Sequence, residues 1–128
     1  MRMKKSIRTL RVGTCFYLFS TKVTRVSETD ESVFSIRLFV DAYSRFALLI
    51  HFRTLDDYYV GNPLNHGVLL YNEQMKEEEI VNLNRPKFIR YALDYGIRKG
   101  WRPQEAQVVL DGIALLHELG YKTEKLQK

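Results

Sequence analysis

The sequence lacks most of the features that indicate a particular chemistry. Its single cysteine, Cys15, excludes an internal disulfide and a thiolate zinc cluster, and fits a reducing cytoplasm. There is no phosphate-binding loop, no nucleophile elbow and no Cys-x-x-Cys pair, and the histidines lack metal-ligand spacing. We therefore expect neither a metal nor a cofactor. Cys15 stands in an apolar run, which predicts a buried small hydrophobic residue rather than a nucleophile.

The sequence also lacks an apolar run long enough to cross a bilayer, and Arg11 interrupts the one N-terminal segment that imitates a secretion signal. We expect a cytoplasmic protein without membrane contact. The 128 residues fit one domain, and 45% hydrophobic and 12% aromatic residues exclude a disordered chain. A net charge of +5 permits contact with nucleic acid or anionic partners without requiring it.

The first half of the chain has the alternating pattern of β-strands. Residues 33–41 and 45–53 place on one face Phe34, Ile36, Leu38, Val40, Phe46, Leu48, Ile50 and Phe52. The short segment between them predicts a hairpin turn, and an earlier apolar run, residues 10–19, predicts a single strand. Since the opposite faces are largely polar, we predict an antiparallel sheet of about four to six strands over residues 7–83, with one side open.

The last third has helical periodicity. It predicts helices at about 86–99 and 103–119 and a frayed tail over 122–128. Asn84 or Arg85 would cap the first helix, and Asn84 is chemically the better cap. An alternative makes residues 107–112 a strand, with a shorter helix after it. Strands followed by helices indicate the α+β class, with both helices covering one face of the sheet. The cover would use four apolar side chains, namely Phe88, Leu93, Val109 and Ile113.

The segment DDYYVGNPLNHG, residues 56–67, is the one most typical of a binding loop. Its glycines and its Asn-Pro pair are turn chemistry, so a purely structural turn is one interpretation. Tyr58, Tyr59, Asn62 and His66 exceed what a turn needs, and tyrosines suit an interface. We predict these four as candidate binding residues.

Two basic surfaces offer an alternative. The open sheet face would carry Arg37, Arg45 and Arg53, and one side of the first helix Lys87, Arg90 and Arg98. Such surfaces can contact phosphates, although a solvated polar face is the simpler interpretation. An acid–base pair for an enzyme could come from Asp41, His51, Asp56, Asp57 and His66, none of which stands in a motif.

Two motifs give a resemblance. YVGNPLNHGVLLY and NRPKFIRYALDYGIRKGWRP resemble a group of small bacterial proteins of unknown function, over roughly residues 58–103. The resemblance implies a bacterial origin and an accessory gene of a mobile element, such as an integron gene cassette, or of a toxin neighbourhood. It assigns no catalytic residue. It implies that Trp101 or Phe88 packs near Pro63 and Leu64.

Together these observations favour a small non-enzymatic binding protein that contacts another protein or a second copy of itself as a homodimer. Two alternatives stay open. The first is nucleic-acid binding through the basic surfaces, and the second is a motif-free enzyme or small-ligand binder around Tyr58, Asn62 and His66.

Overall fold

The computed structural model describes residues 6–127, which form the predicted α+β fold. Within them the strands are β1 (Arg8–Val12), β2 (Cys15–Arg25), β3 (Glu31–Phe39), β4 (Leu48–Leu55), β5 (Val68–Asn72), β6 (Glu77–Val81) and β7 (Val108–Asp111). The helices are α1 (Pro63–His66), α2 (Pro86–Arg98) and α3 (Gly112–Glu118), and single 3-10 turns occupy Ser44–Phe46 and Glu124–Leu126.

The main sheet has the strand order β1-β2-β3-β4-β7, and β5 and β6 pair in a separate two-stranded sheet. The pairs from β1 to β4 are antiparallel, whereas β7 lies parallel to β4. A parallel neighbour needs a long crossover, and the chain from β5 through α2 supplies it. The predicted antiparallel sheet is thus confirmed in outline, with a parallel edge strand added and with β5 and β6 set apart from it.

The predicted strand over residues 10–19 is a hairpin. The chain reverses between Val12 and Cys15, which pair with each other, and Gly13 takes a positive φ of 62°. Glycine has no Cβ to oppose that conformation, so the turn forms there. The prediction of a buried Cys15 is wrong, because the turn leaves this residue exposed at the end of the hairpin.

The alternation in β3 and β4 is confirmed. Phe34, Ile36, Leu48, Ile50 and Phe52 are all fully buried on one face. The connection between the strands is longer than predicted and contains the 3-10 turn at 44–46.

Helices α2 and α3 cover that buried face, as predicted. Phe88, Leu93 and Ile113 are 3%, 1% and 6% exposed and belong to the same core as the strands.

Both helices approach the sheet closely at a glycine residue. A Cβ on Gly96 would stand 2.2 Å from the Leu48 side chain, and one on Gly112 would stand 2.3 Å from the Phe52 ring.

The predicted helix 103–119 is wrong in its first half, and the alternative is confirmed. Val108–Asp111 is strand β7, and the helix begins at Gly112. β-branched residues favour a strand, and the parallel partner β4 supplies the hydrogen bonds. Asp111 then caps α3 by accepting from the Ile113 N–H at 3.0 Å. Val109 consequently lies on the opposite face and is 55% exposed, so its predicted place in the core is wrong.

Helix α2 begins at Pro86, as predicted, and of the two predicted cap residues Arg85, not Asn84, holds the cap position. The Asn84 amide donates to the backbone oxygen and side-chain oxygen of Asn65, at 3.2 and 2.9 Å, and its own oxygen accepts from the Thr21 hydroxyl. This links the turn at α1 to the start of α2. Leu64, Phe88 and Trp101 all belong to the hydrophobic core.

Candidate functional site

The loop between β4 and α1 exposes two adjacent aromatic rings. Tyr58 and Tyr59 are 92% and 88% exposed, and their rings meet edge to face with centroids 5.0 Å apart. Val60 beside them is 46% exposed. We call residues 58–60 the tyrosine tip. Its apolar surface contacts water in the isolated chain, which is the arrangement of an interface anchor.

Hydrogen bonds close the loop beneath the tyrosine tip. One carboxylate oxygen of Asp57 accepts from the N–H groups of Tyr59 and Val60, at 2.8 and 3.2 Å. The backbones of Asp57 and Gly61 exchange two hydrogen bonds, and Gly61 takes a φ of 79°. These bonds hold the shape of the loop below the rings.

Asn62 has a structural role. It is 4% exposed, and its side-chain oxygen accepts from the N–H groups of Leu64 and Asn65 at the start of α1. Its amide donates to the hydroxyl groups of Ser32 and Thr54, at 2.9 and 3.4 Å. These contacts supply hydrogen-bond partners for the buried side chain of Asn62. His66, the last residue of α1, is exposed.

A groove of about 570 Å³ lies beside the tyrosine tip. It is lined by Arg25, Asp30, Asp56, Asp57, Tyr58 and Gly61. Three carboxylates against one guanidinium give this side of the loop an acidic character. Sequence analysis missed this feature because Arg25 and Asp30 come from the preceding hairpin, far from the loop in the chain.

The uncovered face of the main sheet holds a second group of polar side chains. The strand register places Lys22, Ser35, His51 and Asp111 in one row across β2, β3, β4 and β7. The Ser35 hydroxyl and the His51 Nδ1 are hydrogen-bonded at 2.7 Å. We call this surface the open face. Since paired residues share a face, three consecutive strands and the distant β7 contribute side chains to this one surface.

Arg37 and Arg53 lie on the open face, as predicted, whereas Arg45 does not. Arg45 belongs to the 3-10 turn before β4, because that strand begins only at Leu48. Sequence analysis missed Lys22 and Asp111 on this face. The alternation of Ser20, Lys22 and Thr24 could have indicated the first of them, but Asp111 needed the pairing of β7 with β4.

The basic residues of the nucleic-acid hypothesis are mostly paired with carboxylates. The pairs are Arg53 with Glu31, Lys87 with Glu79, Arg90 with Asp94 and Arg98 with Glu118. Helix α2 also packs on the buried face of the sheet, so its basic side points away from the open face. The two predicted basic surfaces therefore do not combine, and a phosphate would have to compete with the carboxylates.

Glu79, Lys87 and Tyr121 form a polar cluster between β6, α2 and the C-terminal segment. The Tyr121 hydroxyl donates to Glu79 Oε1 at 2.7 Å, and the Lys87 ammonium donates to Oε2. Burial alone would raise the pKa of Glu79, but these two hydrogen bonds outweigh it and hold the pKa below its ordinary value. Burial, together with the bond to Glu79, raises the pKa of Tyr121. The cluster joins the small sheet to α2.

The predicted acid–base candidates do not come together. The Asp57 carboxylate accepts from the Tyr59 N–H within its own loop. Asp56 accepts from the Ser32 hydroxyl, and Asp41 accepts from the Ala42 N–H. Across residues 6–127 there is no hydrogen bond between a histidine and a carboxylate, and no group of three or more His, Cys, Asp or Glu side chains that could hold a metal ion.

Over the same residues, no helix is both long enough and apolar enough to span a membrane. The chain was compared with protein-family models, with curated proteins and with solved structures, and none of the three comparisons found a match.

Proposed function

We propose that this protein acts by binding another protein, with the tyrosine tip as its main anchor. The observation that carries the proposal is the exposure of two adjacent tyrosine rings, at 92% and 88%, on a loop that is already closed. Tyrosine offers a large contact area with few rotatable bonds, and it is enriched among residues that dominate binding energy. A loop that is ordered in advance loses little entropy on binding.

The partner surface follows from the chemistry of the loop. Two rings and Val60 suit an apolar depression, and the three aspartates beside them suit a basic rim around it. We propose a partner of that kind, distinct from this chain. A second copy of this chain is the competing occupant.

Photo-crosslinking in the native cell would identify the partner. A photoreactive phenylalanine analogue at position 59 should crosslink a protein that the same analogue at position 43 does not. Tyr43 is the matched position, because it is also a surface tyrosine, 38% exposed, in a different connection.

Binding of the purified partner then tests the anchor. Tyr58→Ala and Tyr59→Ala should each weaken it by about 30-fold or more, as for a residue that dominates an interface. Tyr43→Ala should leave it within about twofold of the wild type. Equal crosslinking at positions 43 and 59, or affinities that do not change in the two tip variants, would refute the proposal. A crosslink to the protein itself, with dimerisation lost in the tip variants, would replace it by self-association.

We also propose a cytoplasmic location, which rests on the lone thiol. The bacterial origin and the accessory-gene context rest on the resemblance of the two motifs and are proposals in the same sense.

A further inference from the structure

The open face contains a small pocket of about 110 Å³, separate from the tyrosine tip. Its lining is Ser20, Lys22, Ser35, Arg37, Leu49 and His51. It thus presents two cationic groups, two hydroxyl groups and an imidazole, and none of the described side chains that line it is acidic. Such a lining is complementary to an anion.

Two groups in this pocket have no partner within residues 6–127. Ser20 is only 4% exposed, yet its hydroxyl makes no hydrogen bond to the described chain. Lys22 makes no ion pair there either, unlike Arg53 on the same face, which is paired with Glu31. No buried side-chain oxygen of the described residues lacks a partner, so the Ser20 hydroxyl is accessible from the pocket, where it can donate to a ligand from outside the chain.

Arg37 is held in place beside them. One of its terminal nitrogens donates to the Ser44 carbonyl at 2.7 Å, and its guanidinium lies 4.3 Å from the centre of the Phe39 ring. These contacts fix the guanidinium without neutralising its charge. A fixed cation binds an anion with little loss of side-chain freedom.

A larger groove of about 630 Å³ adjoins the pocket and shares Lys22, Ser35 and His51 with it. Beyond these residues its lining includes the apolar side chains of Val33 and Val109, together with Thr24, Arg53 and Asp111. Arg53 is paired with Glu31, and Asp111 caps α3. The exposure of Val109, which contradicts the helical prediction, places an apolar side chain at this end of the groove. The combined site therefore has two cations without a carboxylate partner among the described residues, Lys22 and Arg37, at one end, and an apolar strip of Val33 and Val109 beside them.

We propose that the open face binds a small amphipathic anion. Its carboxylate or phosphate head lies in the pocket against Lys22, Arg37 and the Ser20 hydroxyl, and its apolar body lies along Val33 and Val109. This site is independent of the protein-binding role of the tyrosine tip. The concave shape of the small pocket suits one head group rather than a polymer of phosphates.

Isothermal titration below micellar concentrations tests the proposal with three probes, namely octanoate, octyl phosphate and the uncharged octanamide. At least one of the two anions should bind saturably with one-to-one stoichiometry, and the better of the two identifies the head group. Octanamide should bind at least tenfold more weakly, because it keeps the apolar body and loses the charge.

Three variants locate the binding. Lys22→Met should weaken the anion by about tenfold or more, and Ser20→Ala by severalfold, as for the loss of charged and neutral hydrogen bonds. Arg45→Gln removes the same charge outside the pocket and should change the affinity by less than twofold. Circular dichroism should be the same for all three, since Lys22 and Arg45 are exposed and Ser20→Ala removes only the hydroxyl.

Four results would overturn the proposal. They are no binding of either anion, octanamide binding as tightly as the anions, an equal loss in Lys22→Met and Arg45→Gln, and Lys22-dependent binding of a 12-nucleotide oligothymidylate without binding of the small anions. The last result would make the open face a nucleic-acid surface.

Discussion

Replacing Gly112 by alanine should destabilise the protein, although alanine is the better helix former. Gly112 is the first residue of α3, where the helix crosses the buried face of β4. A Cβ at this position would lie 2.3 to 2.5 Å from three carbon atoms of the Phe52 ring. Ordinary contact between carbon atoms requires about 3.5–4.0 Å, so the ring or the helix must move by more than about 1 Å.

The ring has little room to move. Phe52 is fully buried, and it packs edge to face on Phe34 with centroids 6.4 Å apart. Overpacking of a core costs about 1–3 kcal/mol, whereas the helix propensity of alanine returns at most about 1 kcal/mol. We expect a net loss of about 1–2 kcal/mol, which is a fall of about 3–10 °C in Tm for a chain of this size.

Urea denaturation, followed by the fluorescence of the buried Trp101 and by circular dichroism, measures this loss. The midpoint should fall with an unchanged m-value. Phe52→Leu provides the control, because it replaces the rigid ring by a smaller and more flexible side chain. In that background Gly112→Ala should cost on the order of 0.5 kcal/mol or less. A neutral or stabilising effect in the wild-type background, or an equal cost in both, would show that the close approach to the ring is not what requires glycine.

Two further variants test polar contacts. Asn62→Ala should lower the free energy of unfolding by about 1–3 kcal/mol, because α1 loses its cap and two hydroxyl groups lose a donor; an unchanged urea midpoint would contradict this. Glu79→Gln should make the free energy of unfolding depend less on pH below neutrality. The folded-state pKa of Glu79 lies below its ordinary value of 4.5, so the ionised group stabilises the wild type above that pH, and the stabilisation is lost as pH falls through the folded-state pKa. Urea midpoints of both proteins between pH 7 and pH 3 should therefore converge on acidification, and a constant difference would refute the pKa assignment.

Whether a candidate site could be predicted from the sequence depends on how far apart its residues lie in the chain. The tyrosine tip was predictable, because Tyr58 and Tyr59 are adjacent in the chain and stand between turn-forming residues. The small pocket on the open face was not, because Lys22, Ser35 and His51 come from three strands whose register is set by pairing. Asn62 shows the opposite case, since its local sequence suggested a contact residue and its tertiary partners make it a buried cap.

The sequence by itself determined the α+β class, the buried faces of β3 and β4 and the start of α2 at Pro86. Each of these depends on side-chain period or on local backbone chemistry, which act over a few residues. Only the tertiary structure decided that Val108–Asp111 is a strand and that Val109 faces the open side, because both follow from a parallel partner, β4, far away in the chain. Period and turn chemistry are local properties, whereas a strand edge becomes satisfied only when its distant neighbour is in place.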